Sequence, residues 1–396
     1  MKDLWYLPYE SNKKVQRFIH KNKRKGVFIM FANNRKPSLR FSYDLSDSKY
    51  RSRTEQFLNI LFYAHELPSD LYLQMNITYD NFRQYMSRLC RKGLIKKINN
   101  NSITGYQLTP RGKKLTRTQP EFLKYQACVS DDVDRHTDWK YRYRKRQFAY
   151  LYVLFDRVGV IYEDYAKPKL TSAAVFEDQW YFYTALDVKH MLNVEATVFK
   201  GSRMYGLLIG FGQIIPVYRA NYNIKTYTRQ EALIPLLMSR YFTVPVETAI
   251  LICGSDAAVV EISKQINANI SNDSKRGVNT ANYINFCVFP SNDCFMSHLE
   301  DLYADHDYME RLLIEHYGID TSETDSNGRY RLKIGTGFIN EHPVWVCPGN
   351  INLVILKRFI RNAELNDIES YIICQRRDAY NLEEIIGDAP VDIIEI

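Results

Sequence analysis

The chain lacks the features that would mark it as secreted, membrane-spanning or held together by metal. Its seven cysteines (Cys90, Cys128, Cys253, Cys287, Cys294, Cys347 and Cys374) are scattered over 396 residues, odd in number and free of any C-x-x-C pair. A disulfide framework and a zinc ribbon are therefore both poor readings. No apolar run approaches the roughly 18 residues needed to span a bilayer; Phe148 to Phe155 is the densest stretch. The opening MKDLWYLPYE has no basic segment followed by an apolar one, the pattern of a secretion signal. These absences predict a reduced, cytoplasmic protein with no membrane partner.

Several catalytic signatures are missing too. No G-x-x-x-x-G-K-[ST] loop occurs, and the isolated Gly210, Gly212, Gly335 and Gly337 make no dinucleotide fingerprint, which argues against a nucleotide-driven motor. No H-x-H triplet exists, which counts against a two-histidine relaxase; His298, His306 and His316, eight and ten residues apart, read as surface histidines. The 30 tyrosines offer many phenols, but abundance does not activate a nucleophile.

What is present is a globular composition, 45% hydrophobic and 25% charged, at a length that calls for two or three domains. The net charge of +8 hides a strong asymmetry. Residues 1–150 hold 31 lysines and arginines against 13 acidic side chains, whereas the remaining 246 hold 22 basic and 32 acidic ones. An N-terminal part built to meet a polyanion is the physical reading of that split.

Residues 1–50 form a basic arm with a cluster at Lys13, Lys14, Arg17, Lys21, Lys23, Arg24 and Lys25, followed by a strand-like VFIMFA. Residues 51–118 read as a winged helix-turn-helix. RSRTEQFLNILFYAH carries Phe57, Leu58, Leu61 and Phe62 at helical spacing, and LPSDLYLQM reads as a short second helix. Thr78 is placed to cap YDNFRQYMSRLCRKG, whose Phe82, Met86 and Leu89 lie on one face and whose Gly93 stands where a helix should stop. LIKKI, NNNSIT and GYQLT read as strand, turn and strand, and PRGKKL as a helix with proline in its first turn.

The face opposite Phe82, Met86 and Leu89 presents Arg83, Gln84, Ser87, Arg88 and Arg91. Arginine and glutamine can pair with guanine and adenine edges in a major groove. Lys96, Lys97, Asn100 and Asn101 on the wing, with Arg111, Lys113 and Lys114 after it, suit phosphate contacts. The bland alternative is a protein-interaction module with solvated arginines.

Residues 119–138 read as a linker, and residues 139–396 as an α/β domain with a basic leading helix. In that helix Arg142, Arg144, Lys145 and Arg146 are assigned to phosphate contact. Beyond 170, strands and helices alternate through WYFYTALDVKHML, a hairpin around Gly210 and Gly212, TRQEALIPLLMSRYF, VETAILICG, DAAVVEISKQI and YINFCVFPS. A helix over 295–317 and strands at INLVILK and SYIICQRR follow. The fold class is thus α+β, or mixed α/β, with a mixed central sheet.

The one tempting catalytic pattern is Asp178 followed by Asp187-Val-Lys189, two carboxylates and a lysine in the order a magnesium-dependent nuclease uses. Asp187 and Lys189, however, fall in the first turn of a helix capped near Thr184, where the helix dipole alone explains an acid. No cofactor is expected, magnesium entering only with the nuclease alternative.

The blocks GYQLTPRGKKL, FYTALDVKHM, GSRMYGLLIGFGQIIPVYRANY and NFCVFPSNDCFMSHLEDLY occur in this order between about 55 and 320, the hairpin carrying Ser202, Arg203 and Gly206. Together they resemble the replication-relaxation family of plasmids and integrative conjugative elements of Gram-positive bacteria. The resemblance implies a role in replication, DNA relaxation or transfer of a mobile element. It transfers no catalytic residue set. Its partners would be double-stranded DNA, other replication or transfer proteins and a second copy of the chain. The alternatives are a magnesium-dependent nuclease or nicking enzyme using the α/β domain, and a transcriptional regulator of a mobile element.

Overall fold

A computed structural model describes residues 52–100, 103–129, 139–171, 176, 179–192, 204–220, 229–268, 283–290, 314–322, 324, 336–347, 351–374 and 376–395. The basic arm, Asn101, Asp178, Ser202, Arg203 and most of 295–317 lie outside the described residues. The chain divides into two compact units.

The first unit begins with the winged helix. Ser52 caps α1 (Arg53–Ala64), its hydroxyl accepting from the Glu55 amide at 3.2 Å. Phe57, Ile60, Leu61 and Phe62 are buried on α1. The expected second helix is shorter than the sequence suggests. Leu67–Pro68 forms a strand, β1, opposite Tyr106 and Gly105, and only Leu71–Leu73 winds into a single 3-10 turn. Proline cannot donate to a helix ladder, and at the edge of a sheet it need not.

Thr78 caps α2 (Tyr79–Arg91) through the Asn81 amide, and Phe82, Met86 and Leu89 fill the core. The helix ends as the sequence predicts. Gly93 takes φ 67°, its amide bonds to the Cys90 carbonyl at 2.8 Å, and the Leu94 amide reaches Leu89 at 3.1 Å. That double bond pattern needs a left-handed residue, which glycine supplies without strain. β2 (Ile95–Asn100) and β3 (Ile103–Leu108) pair antiparallel from Ile95↔Leu108 to Asn100↔Ile103, giving a three-stranded sheet ordered β1-β3-β2. Thr109 and Pro110 then start α3 (Pro110–Thr118).

Where a linker is expected, Pro120–Cys128 forms a 3-10 helix, and Tyr125 stacks on Phe62 with ring centroids 4.3 Å apart. α4 (Trp139–Arg157) packs along α1, and Leu151 to Phe155 are buried in succession. That stretch is apolar on every side and so belongs inside a core. By its contacts α4 groups with the winged helix and not with residues 214–396. The unit is completed by the antiparallel pair β4 (Tyr181–Thr184) and β5 (Gly206–Gly210), with α5 (Ala185–Leu192) between them in sequence.

The second unit contains β6 (Gln213–Ala220), α6 (Arg229–Phe242), β7 (Thr248–Cys253), α7 (Asp256–Ala268) and β8 (Asn285–Pro290). β6, β7 and β8 run parallel, and their near-continuous apolar sequences suit strands buried on both faces. A separate four-stranded sheet, ordered β13-β12-β10-β9, follows. It combines the hairpin β9 (Thr336–Ile339) and β10 (His342–Cys347) with parallel β12 (Ser370–Cys374) and β13 (Val391–Glu395). Val344, Val346, Tyr371 and Ile373 share one core face with Ile319 and Ile339.

INLVILK is a correction. Only Ile351–Asn352 extends, as β11, and Leu353–Asn366 is helix α8, while Arg376–Ile386 forms α9. Asn352 starts α8 by accepting from the amides of Val354 and Ile355. The architecture is a winged helix followed by helices and mixed sheets, an α+β protein. No helix among the described residues is long and apolar enough to cross a membrane.

Candidate nucleic-acid interface

α2 separates its two chemistries by helical period. Phe82, Met86 and Leu89 are at most 2% exposed, whereas Arg83, Gln84, Ser87, Arg88 and Arg91 are all exposed. Those five and Asp80 line one open depression on the outer face of the helix. Phe82 packs edge-on against Phe57 at 5.5 Å and Tyr106 at 6.0 Å, so the core behind the face is aromatic and closely filled. The Arg88 guanidinium lies 5.8 Å from the Tyr85 ring centroid, within cation–π range. Asp80 is the addition the sequence reading did not make. It lies three and seven residues before Arg83 and Ser87, so helical spacing carried the signal.

Lys96 and Lys97 are exposed on β2, opposite Gln107 and Tyr106. Asn100 is the last residue of β2, and Asn101 lies outside the described residues. Arg111 and Lys114 are exposed on the first turns of α3, and Lys113 is half-buried. Basic groups thus stand exposed on the wing and on α3 as well as on α2.

The basic run of α4 is a different matter. Arg144 is exposed, but Lys145 and Arg142 are buried. Arg142 forms a two-pronged pair with Glu66: Nη2 to Oε1 at 2.7 Å and Nε to Oε2 at 3.0 Å. Arg146 reaches Asp70 at 3.0 Å and lies 3.9 Å from Glu66. Assigning Arg142, Lys145 and Arg146 to phosphate is therefore corrected. Burial removes the first two from solvent, and the first and third are engaged by carboxylates of the winged helix.

The nuclease-like pattern resolves into a helix start. The Thr184 amide donates to Asp187 Oδ2 at 2.8 Å and the Asp187 amide to Thr184 Oγ1 at 3.2 Å, a reciprocal cap. The same Oδ2 accepts from Lys167 Nζ at 2.9 Å. Burial alone would lower the Lys167 pKa, but Asp187 and Asp164 outweigh it and raise it. Lys189 is half-buried on α5, and Asp178 lies outside the described residues. Nearby, burial and then Asp164 push the Cys128 thiol up to about 12, and burial raises the Tyr63 phenol above its ordinary range. Both are held neutral, the opposite of an activated nucleophile. No group of three or more His, Cys, Asp or Glu suited to a metal occurs among the described residues.

No curated protein and no solved structure matches the chain. Residues 50–126, which hold α1 to α3 and the wing, match a family model described as a winged helix-turn-helix, an architecture that suggests DNA binding.

Proposed function

We propose that the protein docks on duplex DNA with α2 in the major groove and the wing and α3 on flanking phosphates. One observation carries this reading. A single exposed helix face offers three arginines, a glutamine and a serine, backed by a closed apolar core. Those side chains supply the donors that guanine and adenine edges accept, and Gln84 can both donate and accept. Asp80 adds an acceptor suited to an exocyclic amine, such as that of cytosine.

The finer reading, action in replication, relaxation or transfer of a plasmid or conjugative element, rests on the resemblance of the ordered sequence blocks. Selection of bound duplexes from a random pool, followed by footprinting on the element that carries the gene, tests both levels. Protection at a replication or transfer origin supports the finer reading, and protection at a promoter replaces it with transcriptional regulation. No enrichment of any duplex would remove the docking proposal itself.

A further inference from the structure

The pair between Glu66 and the arginines of α4 does more than join two elements, because both arginines also donate to the backbone of the wing. β1 ends at Pro68, opposite Gly105. The next two carbonyls of β3, toward the tip, are those of Ile103 and Thr104. Arg142 Nη2 donates to the Ile103 carbonyl at 3.1 Å, and Arg146 Nη1 donates to that of Thr104. Thr104 also receives the Ser69 amide at 3.2 Å. Ile103 and Asn100 are the last pair of the β2–β3 ladder, so these bonds grip the far half of the wing.

The carboxylate between the two elements is built in. Glu66 is fully buried and also accepts from Gln107 at 3.3 Å. Gly105 makes room for it: a Cβ there would lie 2.6 Å from Glu66 Oε1 and 2.9 Å from the Leu67 carbonyl oxygen. On the far side, Asp70 holds Arg146 and accepts from the Tyr150 hydroxyl at 2.6 Å, so α4 contributes three residues to one network. An apolar contact could bind helix to sheet equally well, but it would not fix the direction of two wing carbonyls.

We infer that Glu66, Arg142 and Arg146 are positioning residues that hold the wing at a set angle to α2, so that wing and recognition helix meet one duplex together. The inference rests on the docking proposed above. It assigns α4 a role in binding without contact to DNA.

The test is a set of double-mutant cycles on the full chain, read by titration with a random-sequence duplex. Arg146→Gln is the background of choice, since it leaves the Glu66–Arg142 pair in place. In the wild type, Lys97→Ala on the wing and Lys114→Ala on α3 should each weaken binding about fivefold, as lost phosphate contacts. In Arg146→Gln, the Lys97→Ala loss should shrink to less than about twofold, while the Lys114→Ala loss persists. Amide exchange across Ile103 to Tyr106 should accelerate in this background, with α2 unchanged. Equal Lys97→Ala losses in both backgrounds would overturn the positioning role and leave a stabilising ion pair. A wild-type chain indifferent to Lys97→Ala but sensitive to Lys114→Ala would also overturn it, with helix docking intact. A wild-type chain that binds no duplex overturns both readings.

Discussion

Arg142 and Glu66, 76 residues apart in the chain, meet through two hydrogen bonds of 2.7 and 3.0 Å, with side chains 3% and 0% exposed. A buried pair of this kind is strongly destabilising to break but not necessarily to replace. Arg142→Met should lower unfolding stability by about 3–5 kcal/mol, because it strands a charged carboxylate. Glu66→Leu combined with Arg142→Met should recover most of that loss. Urea midpoints of the two variants decide the matter; a double variant as unstable as the single one would show that the lost carbonyl bonds dominate.

Base reading and phosphate contact are expected to separate. Arg88→Ala should cost roughly 1–3 kcal/mol on a selected duplex and little on a scrambled one. Lys114→Ala should weaken both to a similar degree, since phosphates carry no base identity. Equal losses from Arg88→Ala on both duplexes would mean that this arginine touches only backbone.

Salt provides an independent check on the same interface. If the basic groups of the winged helix neutralise on the order of six phosphates, affinity should fall by roughly a thousand-fold between 50 and 200 mM salt. An affinity that holds steady across this range would remove the electrostatic basis of the docking.

Asp187→Ala should act on stability and not on DNA. It removes the reciprocal cap with Thr184 and the partner of Lys167, a loss of about 1–2 kcal/mol by the usual cost of an N-terminal cap. Thermal unfolding measures the first effect and duplex titration the second. Metal-dependent plasmid cleavage by the wild type that disappears in this variant would favour the nuclease alternative.

Lys357, on α8, supplies a pH test. Burial pushes its pKa down to about 8, whereas an unfolded lysine titrates near ~10.4. Between those values the unfolded chain binds the extra proton, so this group's contribution to stability rises with pH across that window. The stability difference between Lys357→Met and the wild type should therefore move in favour of the wild type between pH 7 and pH 10. A stability difference that stays constant from pH 7 to 10 would refute the assignment.

Local sequence signals were enough to place α2 and its surroundings. The Thr78 cap, the Phe82–Met86–Leu89 stripe, the Gly93 stop and the Pro110 start are local signals, each acting within a few residues through backbone hydrogen bonds and φ preference. The same period assigned Arg83, Gln84, Ser87, Arg88 and Arg91 to the exposed face. The tertiary structure alone decided the fate of the α4 arginines, because nothing near residue 142 announces a carboxylate at residue 66 or a glycine at 105 that admits it. It alone decided α8 as well. INLVILK is polar only at Asn352 and Lys357, too few positions to reveal a period, so Asn352 and burial on several sides chose helix over strand. Long-range partners and burial are properties of the folded chain, and a local pattern cannot carry them.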